Sequence, residues 1–72
     1  GMYSTADFCT FYESVCSGTT SYITTCTASY NAAMTLASGD QRHCRSYHLC
    51  NASKEAPETH CQHAIGLGNL CD

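Results

Sequence analysis

Histidine and cysteine side chains, which often bind transition metals, are concentrated in the stretch CRSYHLCNASKEAPETHCQHA, residues 44–64. It holds three of the four histidines and three of the seven cysteines. Cys44 and His48 are one helical turn apart, as are His60 and His63, and this spacing directs two side chains to the same side of a helix. Because imidazole nitrogen suits Zn²⁺ and copper ions, the stretch is a candidate metal site with His48, His60 and His63 as ligands.

The oxidation state of the cysteines decides which of these ligands are available. If Cys44 and Cys61 form disulfides, they cannot act as thiolate ligands and only the imidazoles remain. On an ideal helix His63 points away from Cys61, so a site of three histidines requires a distorted helix. We therefore expect either no cofactor or a Zn or Cu ion held by imidazoles.

The same histidines also have a structural interpretation. His48 and His60 could hydrogen-bond to Tyr47, Asn51 or backbone carbonyls, while Arg45 caps a helix end. The spacing of the residues is compatible with both interpretations. The sequence therefore leaves open whether the histidines bind a metal.

The cysteine content places constraints on size, stability and compartment. A chain of 72 residues forms one domain, which we assign to residues 1–72, and at this size a hydrophobic core alone gives marginal stability. Seven cysteines in so short a chain predict a disulfide scaffold in an oxidising compartment, secreted or periplasmic. We interpret Gly1 before Met2 as a remnant of tag removal, and the chain as the mature part of an exported protein.

The charge balance excludes two classes of partner. The chain carries three basic residues, Arg42, Arg45 and Lys54, against six acidic ones. Binding to a phosphate backbone or an anionic membrane surface requires several clustered cations, which three scattered residues cannot supply. Apolar runs of membrane length are also missing from the sequence. We therefore expect neither nucleic-acid binding nor membrane insertion.

Helical periodicity dominates the chain, and strand-like alternation is not apparent. Ser4 can cap a first helix that runs to about Cys16. A second helix is predicted from apolar residues at helical spacing between Tyr22 and Ala37. Asp40 is the expected N-cap of a third helix. The third helix should end at about Ser53. Pro57 suits the first turn of a fourth helix, and the GLGN segment terminates that fourth helix.

Short connections between these helices favour packing of neighbours in the chain. We expect an all-α fold, a small disulfide-stapled bundle of three to four short helices arranged as two antiparallel helical hairpins. In the first hairpin, Cys16 and Cys26 should lie close together on either side of the turn. The geometry then predicts three disulfides, with Cys50 unpaired: Cys9 with Cys44, Cys16 with Cys26, and Cys61 with Cys71. The main alternative joins Cys50 to Cys61.

The motifs of the second half resemble a small cysteine-rich module of exported bacterial proteins, including myxobacterial ones. That module has a Cys-Arg-x-Tyr-His unit, a His-Cys-x-His-Ala unit and a final cysteine, and no established activity is attached to it. The resemblance implies export and disulfides. Cys50 departs from the pattern, which has a small residue there. The matching positions are Cys44, Arg45, Tyr47, His48, His60, Cys61, His63, Ala64 and Cys71.

Catalytic patterns are weak in this sequence, and we expect no enzymatic activity. The acidic residues show no paired arrangement, and Cys50 and His48 lie two residues apart, on different sides of a helix. Two functions remain. The first is an exported interaction or structural module whose partner is another protein or an envelope component, with a homodimer allowed by an exposed Cys50. The second is a periplasmic or extracellular metal-binding protein.

Helix phase gives one geometric expectation for the histidines. Cys61, Ala64 and Ile65 should form the buried side of the fourth helix, with His60 at its edge. We therefore predict that His48 and His60 lie within reach of each other between the third and fourth helices. Arg45 and His63 are expected to point toward solvent.

Overall fold

The computed structural model describes residues 3–71, and the fold is all-α, as predicted. Within this range the chain forms four helices and no β-strand. The helices are followed by a short 3₁₀ turn, Leu67–Asn69. Helix α1 is paired with α2 and α3 with α4, and α1 also contacts α3 and α4. The helix bounds are Thr5–Cys16 for α1, Cys26–Leu36 for α2, Gly39–Ala52 for α3 and Pro57–Ala64 for α4.

Local sequence signals explain two of the predicted helix starts. The Ser4 hydroxyl caps α1 by accepting a hydrogen bond from the Asp7 amide at 3.2 Å. Pro57 occupies the first turn of α4, where its missing amide hydrogen costs nothing. Both features agree with the sequence prediction.

The predicted N-cap of α3 is wrong. Ser38 rather than Asp40 caps this helix, because its hydroxyl accepts the Gln41 amide at 3.1 Å while the Gln41 side chain accepts the Ser38 amide at 2.7 Å. This reciprocal capping box satisfies two backbone groups, whereas a cap at Asp40 would satisfy one. Asp40 lies in the first turn of α3, where its carboxylate suits the helix dipole.

The core forms where α1 meets the other helices. Tyr12 is fully buried, and its hydroxyl donates a hydrogen bond to the Ser21 carbonyl at 2.7 Å. Burial is the main reason that the pKa of Tyr12 is raised, so the phenol stays neutral. The other large side chains with no exposed surface are Phe8, Met34 and Leu49.

The disulfide pairing differs from the prediction at every bridge. The structure joins Cys9 to Cys26, Cys16 to Cys61, and Cys44 to Cys71. The predicted pairs, Cys9 with Cys44, Cys16 with Cys26 and Cys61 with Cys71, are all wrong, and so is the alternative of Cys50 with Cys61. All seven cysteines lie in the described range, and Cys50 is left unpaired, as predicted.

The connection after α1 explains the first error. Helix α2 begins at Cys26 and not near Tyr22, because the intervening residues form turns in which the Tyr22 amide bonds to the Thr19 carbonyl. The chain therefore runs back along α1, past Tyr12, before α2 starts. This places Cys26 beside Cys9 and leaves Cys16 opposite α4.

The bridges fit an oxidising compartment, where disulfides form and persist. Each one joins different elements: α1 to α2, α1 to α4, and α3 to the segment after the 3₁₀ turn. Among residues 3–71, none of the helices has the length and apolar character needed to cross a bilayer.

Candidate metal site

Helices α3 and α4 bring three histidines together. His48 lies in the C-terminal half of α3, and His60 and His63 lie one turn apart on α4. Each histidine offers one ring nitrogen such that the three atoms lie within 4.8 Å of one another. The predicted ligand set is therefore assembled at one place, and the predicted proximity of His48 and His60 is confirmed.

The distance between two of the rings fits metal coordination. The Nδ1 atoms of His48 and His60 are 3.2 Å apart. Zn–N bonds of about 2.0–2.1 Å in a tetrahedral site place two ligand nitrogens about 3.3–3.4 Å apart. The centroid of the His48 ring also lies 4.9 Å from that of His63. The separation of the His48 and His60 nitrogens therefore matches that of two ligands of one metal ion, and the His63 ring lies next to them.

His63 lies inward, contrary to the prediction that it points to solvent. Its Nδ1 is buried, and it has no hydrogen-bond partner among the residues that the structure describes. The turn after α4 covers the ring, since a Cβ at Gly68 would lie 3.6 Å from Cδ2 of His63 and 3.7 Å from Nε2. Gly68 has φ +80°, a conformation that suits glycine.

The prediction failed because it assumed that α4 buries one side. Cys61 faces α1 through its disulfide to Cys16, while His60 and His63 face His48 on α3. Two adjacent sides of α4 are therefore covered. A regular helix is sufficient for the histidine triad, and the expected distortion of α4 is not needed.

The environment of His48 favours the neutral imidazole. Partial burial is the main cause that lowers the pKa of His48 below its usual value of 6.5, and the nearby rings of His63 and His60 lower it further. A neutral ring keeps a nitrogen lone pair available for a metal. At pH 7 His48 is therefore ready to act as a ligand.

Arg45 is also misplaced by the sequence prediction. It is 9% exposed, and its Nη1 lies 4.0 Å from the sulfur of Met34. Helix α3 packs against α1 as well as α4, so the side that carries Arg45, Ser46 and Leu49 is buried. Tyr47, the neighbour of His48 on α3, is 58% exposed, and its ring lies edge-on to His48.

A second group of ligand atoms borders the first. The Sγ atoms of Cys44 and Cys71 and a ring nitrogen of His48 lie within 4.8 Å of one another. The proximity of Cys71 to His48 was not predicted. It depends on the path of the segment after α4, and helix periodicity says nothing about that path.

Cys50 is half-buried on α3, near Tyr3. The pKa of Tyr3 is raised first by burial and then by the neighbouring Cys50 side chain. The Cys50 side chain therefore lies next to the N-terminal segment of the chain. The unpaired thiol is therefore a partly covered group rather than a projecting one.

Comparisons with known proteins do not identify a family for this chain. No family model matches the chain, and neither a characterised protein nor a solved structure matches it.

Proposed function

We propose that this protein binds a divalent transition-metal ion, Zn²⁺ or Cu²⁺, through the imidazoles of His48, His60 and His63. The observation that carries the proposal is the convergence of three ring nitrogens within 4.8 Å, at a place where Nδ1 of His63 is buried. The oxidised cysteines of the chain favour a secreted or periplasmic protein.

The buried Nδ1 of His63, which has no hydrogen-bond partner among the described residues, favours metal binding over a purely structural role of the three histidines. A hydrogen bond between the Nδ1 atoms of His48 and His60 satisfies those two nitrogens if one donates and the other accepts. It gives nothing to the buried Nδ1 of His63. A metal ion bound to all three rings uses one lone pair from each, and water can fill the fourth position.

Disulfides fix both helices that carry the ligands. The Cys16–Cys61 bridge ties α4 to α1 immediately beside His60, and the Cys44–Cys71 bridge ties α3 to the segment after the 3₁₀ turn. Covalently held ligands lose less conformational entropy on binding. The site therefore has the preorganised support that a small metal site requires.

Thermal unfolding with added metal tests the proposal. A Cys50→Ser background removes the free thiol as a competing ligand. At pH 7.5 and a Zn²⁺ or Cu²⁺ concentration one hundred times the dissociation constant, binding should stabilise the fold by about 2.7 kcal/mol. In a chain of this size that corresponds to a rise in Tm of about 10–20 °C, which a chelator should reverse.

Histidine variants provide the controls. His48→Ala, His60→Ala and His63→Ala should each abolish most of the shift. His43→Ala removes an exposed histidine of α3 outside the cluster and should leave the shift unchanged. If neither metal shifts Tm, or if His48→Ala retains the full shift, the metal proposal is wrong. An exported interaction or structural module without catalytic activity would then be the function to test.

A further inference from the structure

The disulfide between Cys44 and Cys71 lies directly beside the histidine site. Both sulfurs are within 4.8 Å of a ring nitrogen of His48, which is also a member of the histidine triad. His48 therefore belongs to two potential sets of metal ligands. One contains imidazoles, and the other would contain two thiolates if the disulfide were opened.

This disulfide is the most accessible of the three. Cys44 is half-buried, whereas the four cysteines of the other two bridges are at most 1% exposed. Thiol–disulfide exchange requires approach of a thiolate to a sulfur, so access governs which bridge reacts first. A dithiol reductant should therefore open Cys44–Cys71 before the bridges of the core.

We propose that reduction of Cys44–Cys71 creates a second metal site in which the two thiolates and His48 bind Zn²⁺, so that the redox state of one disulfide selects the ligand set. The switching between the two sets rests on the proposed function. The second site does not, because it needs His48 and neither of the histidines of α4.

The electron and proton balance of the step is simple. A dithiol of the reductant donates two electrons and two protons to the bridge, becomes a disulfide itself, and leaves thiols at Cys44 and Cys71. Zn²⁺ then displaces the two thiol protons and bonds to both sulfurs. A disulfide oxidant reverses the sequence: it accepts two electrons from the thiolates and two protons from water and becomes a dithiol, the bond between Cys44 and Cys71 forms again, and the ion is released.

The geometry requires a small movement. Zn–S bonds of about 2.3 Å in a tetrahedral site hold two sulfurs about 3.8 Å apart. Cys71 follows the 3₁₀ turn and lies outside the helices, so its backbone can shift without breaking helical hydrogen bonds. Soft thiolate ligands bind zinc more tightly than imidazoles do. His63, which contacts His48, or water can complete the coordination.

Zinc competition and cobalt spectroscopy test this inference in the Cys50→Ser protein. Limited reduction with a dithiol is followed by removal of the reductant. Alkylation and mass mapping of a separate sample verify that only Cys44 and Cys71 are open. Reduction should tighten zinc binding roughly tenfold or more. Co²⁺ bound to the reduced protein should show a thiolate-to-metal charge-transfer band that the oxidised protein lacks.

Three variants separate the two sites. His60→Ala should bind Zn²⁺ weakly when oxidised and tightly once Cys44–Cys71 is reduced. The double variant Cys44→Ser with Cys71→Ser keeps the triad and should bind equally with and without reductant. His48→Ala should lose both sites.

The outcomes distinguish this inference from the proposed function. If the oxidised protein binds zinc but reduction yields neither tighter binding nor a thiolate band, the inference is wrong and the triad remains. If the oxidised protein fails to bind and reduced His60→Ala binds through thiolates, the triad is wrong and the second site stands. A thiolate band that persists in reduced His48→Ala contradicts the role of His48.

Discussion

His48 is the central residue of the histidine cluster, because its ring contacts both His60 and His63. Tyr47 covers another side of the ring, in an edge-on contact. Protonating His48 would place a positive charge in a partly buried position against two further imidazole rings. The neutral state that suits a metal ligand is therefore also the state that the fold favours.

The lowered pKa of His48 makes the stability of the metal-free protein depend on pH. In the unfolded chain the ring has its usual pKa of about 6.5, and in the folded protein the value is lower. Between these values the unfolded chain binds more protons, so the free energy of unfolding falls as the pH drops. We expect full stability above pH 6.5 and a progressive loss as the pH falls through the folded pKa. Urea unfolding with chelator at pH 7.5, 6.5 and 5.5 measures this.

The matched variants identify the residue responsible. His48→Gln cannot protonate and should flatten the profile between pH 7.5 and 5.5, whereas His43→Gln should not. The carboxylate of Glu58 acts in a lower window, because hydrogen bonds from the side chain and amide of Thr20 hold its pKa below 4.5. Unfolding free energies that stay level from pH 7.5 to 5.5 in the unsubstituted protein would contradict the assignment to His48.

At the residue scale, spacing predicted which histidines lie together better than it predicted their burial. Residues three apart on a helix are neighbours, so His60 and His63 had to share a side once α4 formed. The proximity of His48 followed from pairing α3 with α4. The burial of His63 and Arg45 could not be predicted, because it depends on α1 and the turn at Gly68 covering additional sides of the two helices.

At the scale of elements, the start of α3 depends on Ser38 and Gln41. Ser38→Ala removes the hydroxyl that accepts the Gln41 amide and should destabilise the protein by about 1 kcal/mol. Asp40→Ala removes a favourable charge from the first turn and should cost less, about 0.3–1 kcal/mol. Chemical denaturation of both variants measures the difference. A larger loss for Asp40→Ala would instead support Asp40 as the cap.

The turn between α3 and α4 contains a residue in an unfavourable conformation. Ala56 has φ 44° and ψ 55°, in the left-handed region, immediately before Pro57. A Cβ in this region costs roughly 1–2 kcal/mol, which glycine avoids at the expense of about 0.4–1 kcal/mol of unfolded-state entropy. We expect Ala56→Gly to be neutral or to stabilise by up to about 1.6 kcal/mol, and Ala56→Val to destabilise. Urea unfolding that shows a loss for Ala56→Gly would contradict this conformation.

The starts of α1 and α4 were predictable because a local chemical signal marks each of them, whereas at α3 the signal from Asp40 was chosen over the correct one from Ser38 and Gln41. Ser4 and Pro57 act within one turn of their own position, so the starts of α1 and α4 could be predicted from neighbouring residues. The start of α2 could not, because Tyr22 has the apolar character of a helix residue and yet belongs to the returning segment. The hydrogen bond from Tyr12 to Ser21 fixes that segment, and it joins residues nine positions apart.

At the scale of the whole molecule, the disulfide pairing depends on which helices are in contact. A prediction that considered each helical hairpin separately missed these contacts. The sequence supports a small all-α bundle held by three bridges, and the structure has this architecture. The pairing depends on which helices meet, and α1 is central because it contacts α2, α3 and α4. Cys9 and Cys16 therefore bond to two different helices rather than to the nearest cysteines in the chain.

This topology predicts an order of importance among the bridges. The Cys16–Cys61 disulfide spans 45 residues and Cys9–Cys26 spans 17, so the longer closure removes more entropy from the unfolded chain. In the chain-entropy model, removing the Cys16–Cys61 disulfide lowers the free energy of unfolding by about 4 kcal/mol, and removing Cys9–Cys26 lowers it by about 3 kcal/mol.

Replacing Cys16 and Cys61 together with alanine should therefore destabilise the protein more than replacing Cys9 and Cys26. Both bridges are fully or almost fully buried, so the alanine pairs leave comparable cavities and the comparison isolates loop length. Denaturant unfolding of the two double variants measures the difference, after peptide mapping of the unreduced protein has verified the three bonds. An equal or reversed order would contradict a stabilisation dominated by chain entropy, and a mapped bond between Cys16 and Cys26 would contradict the topology itself.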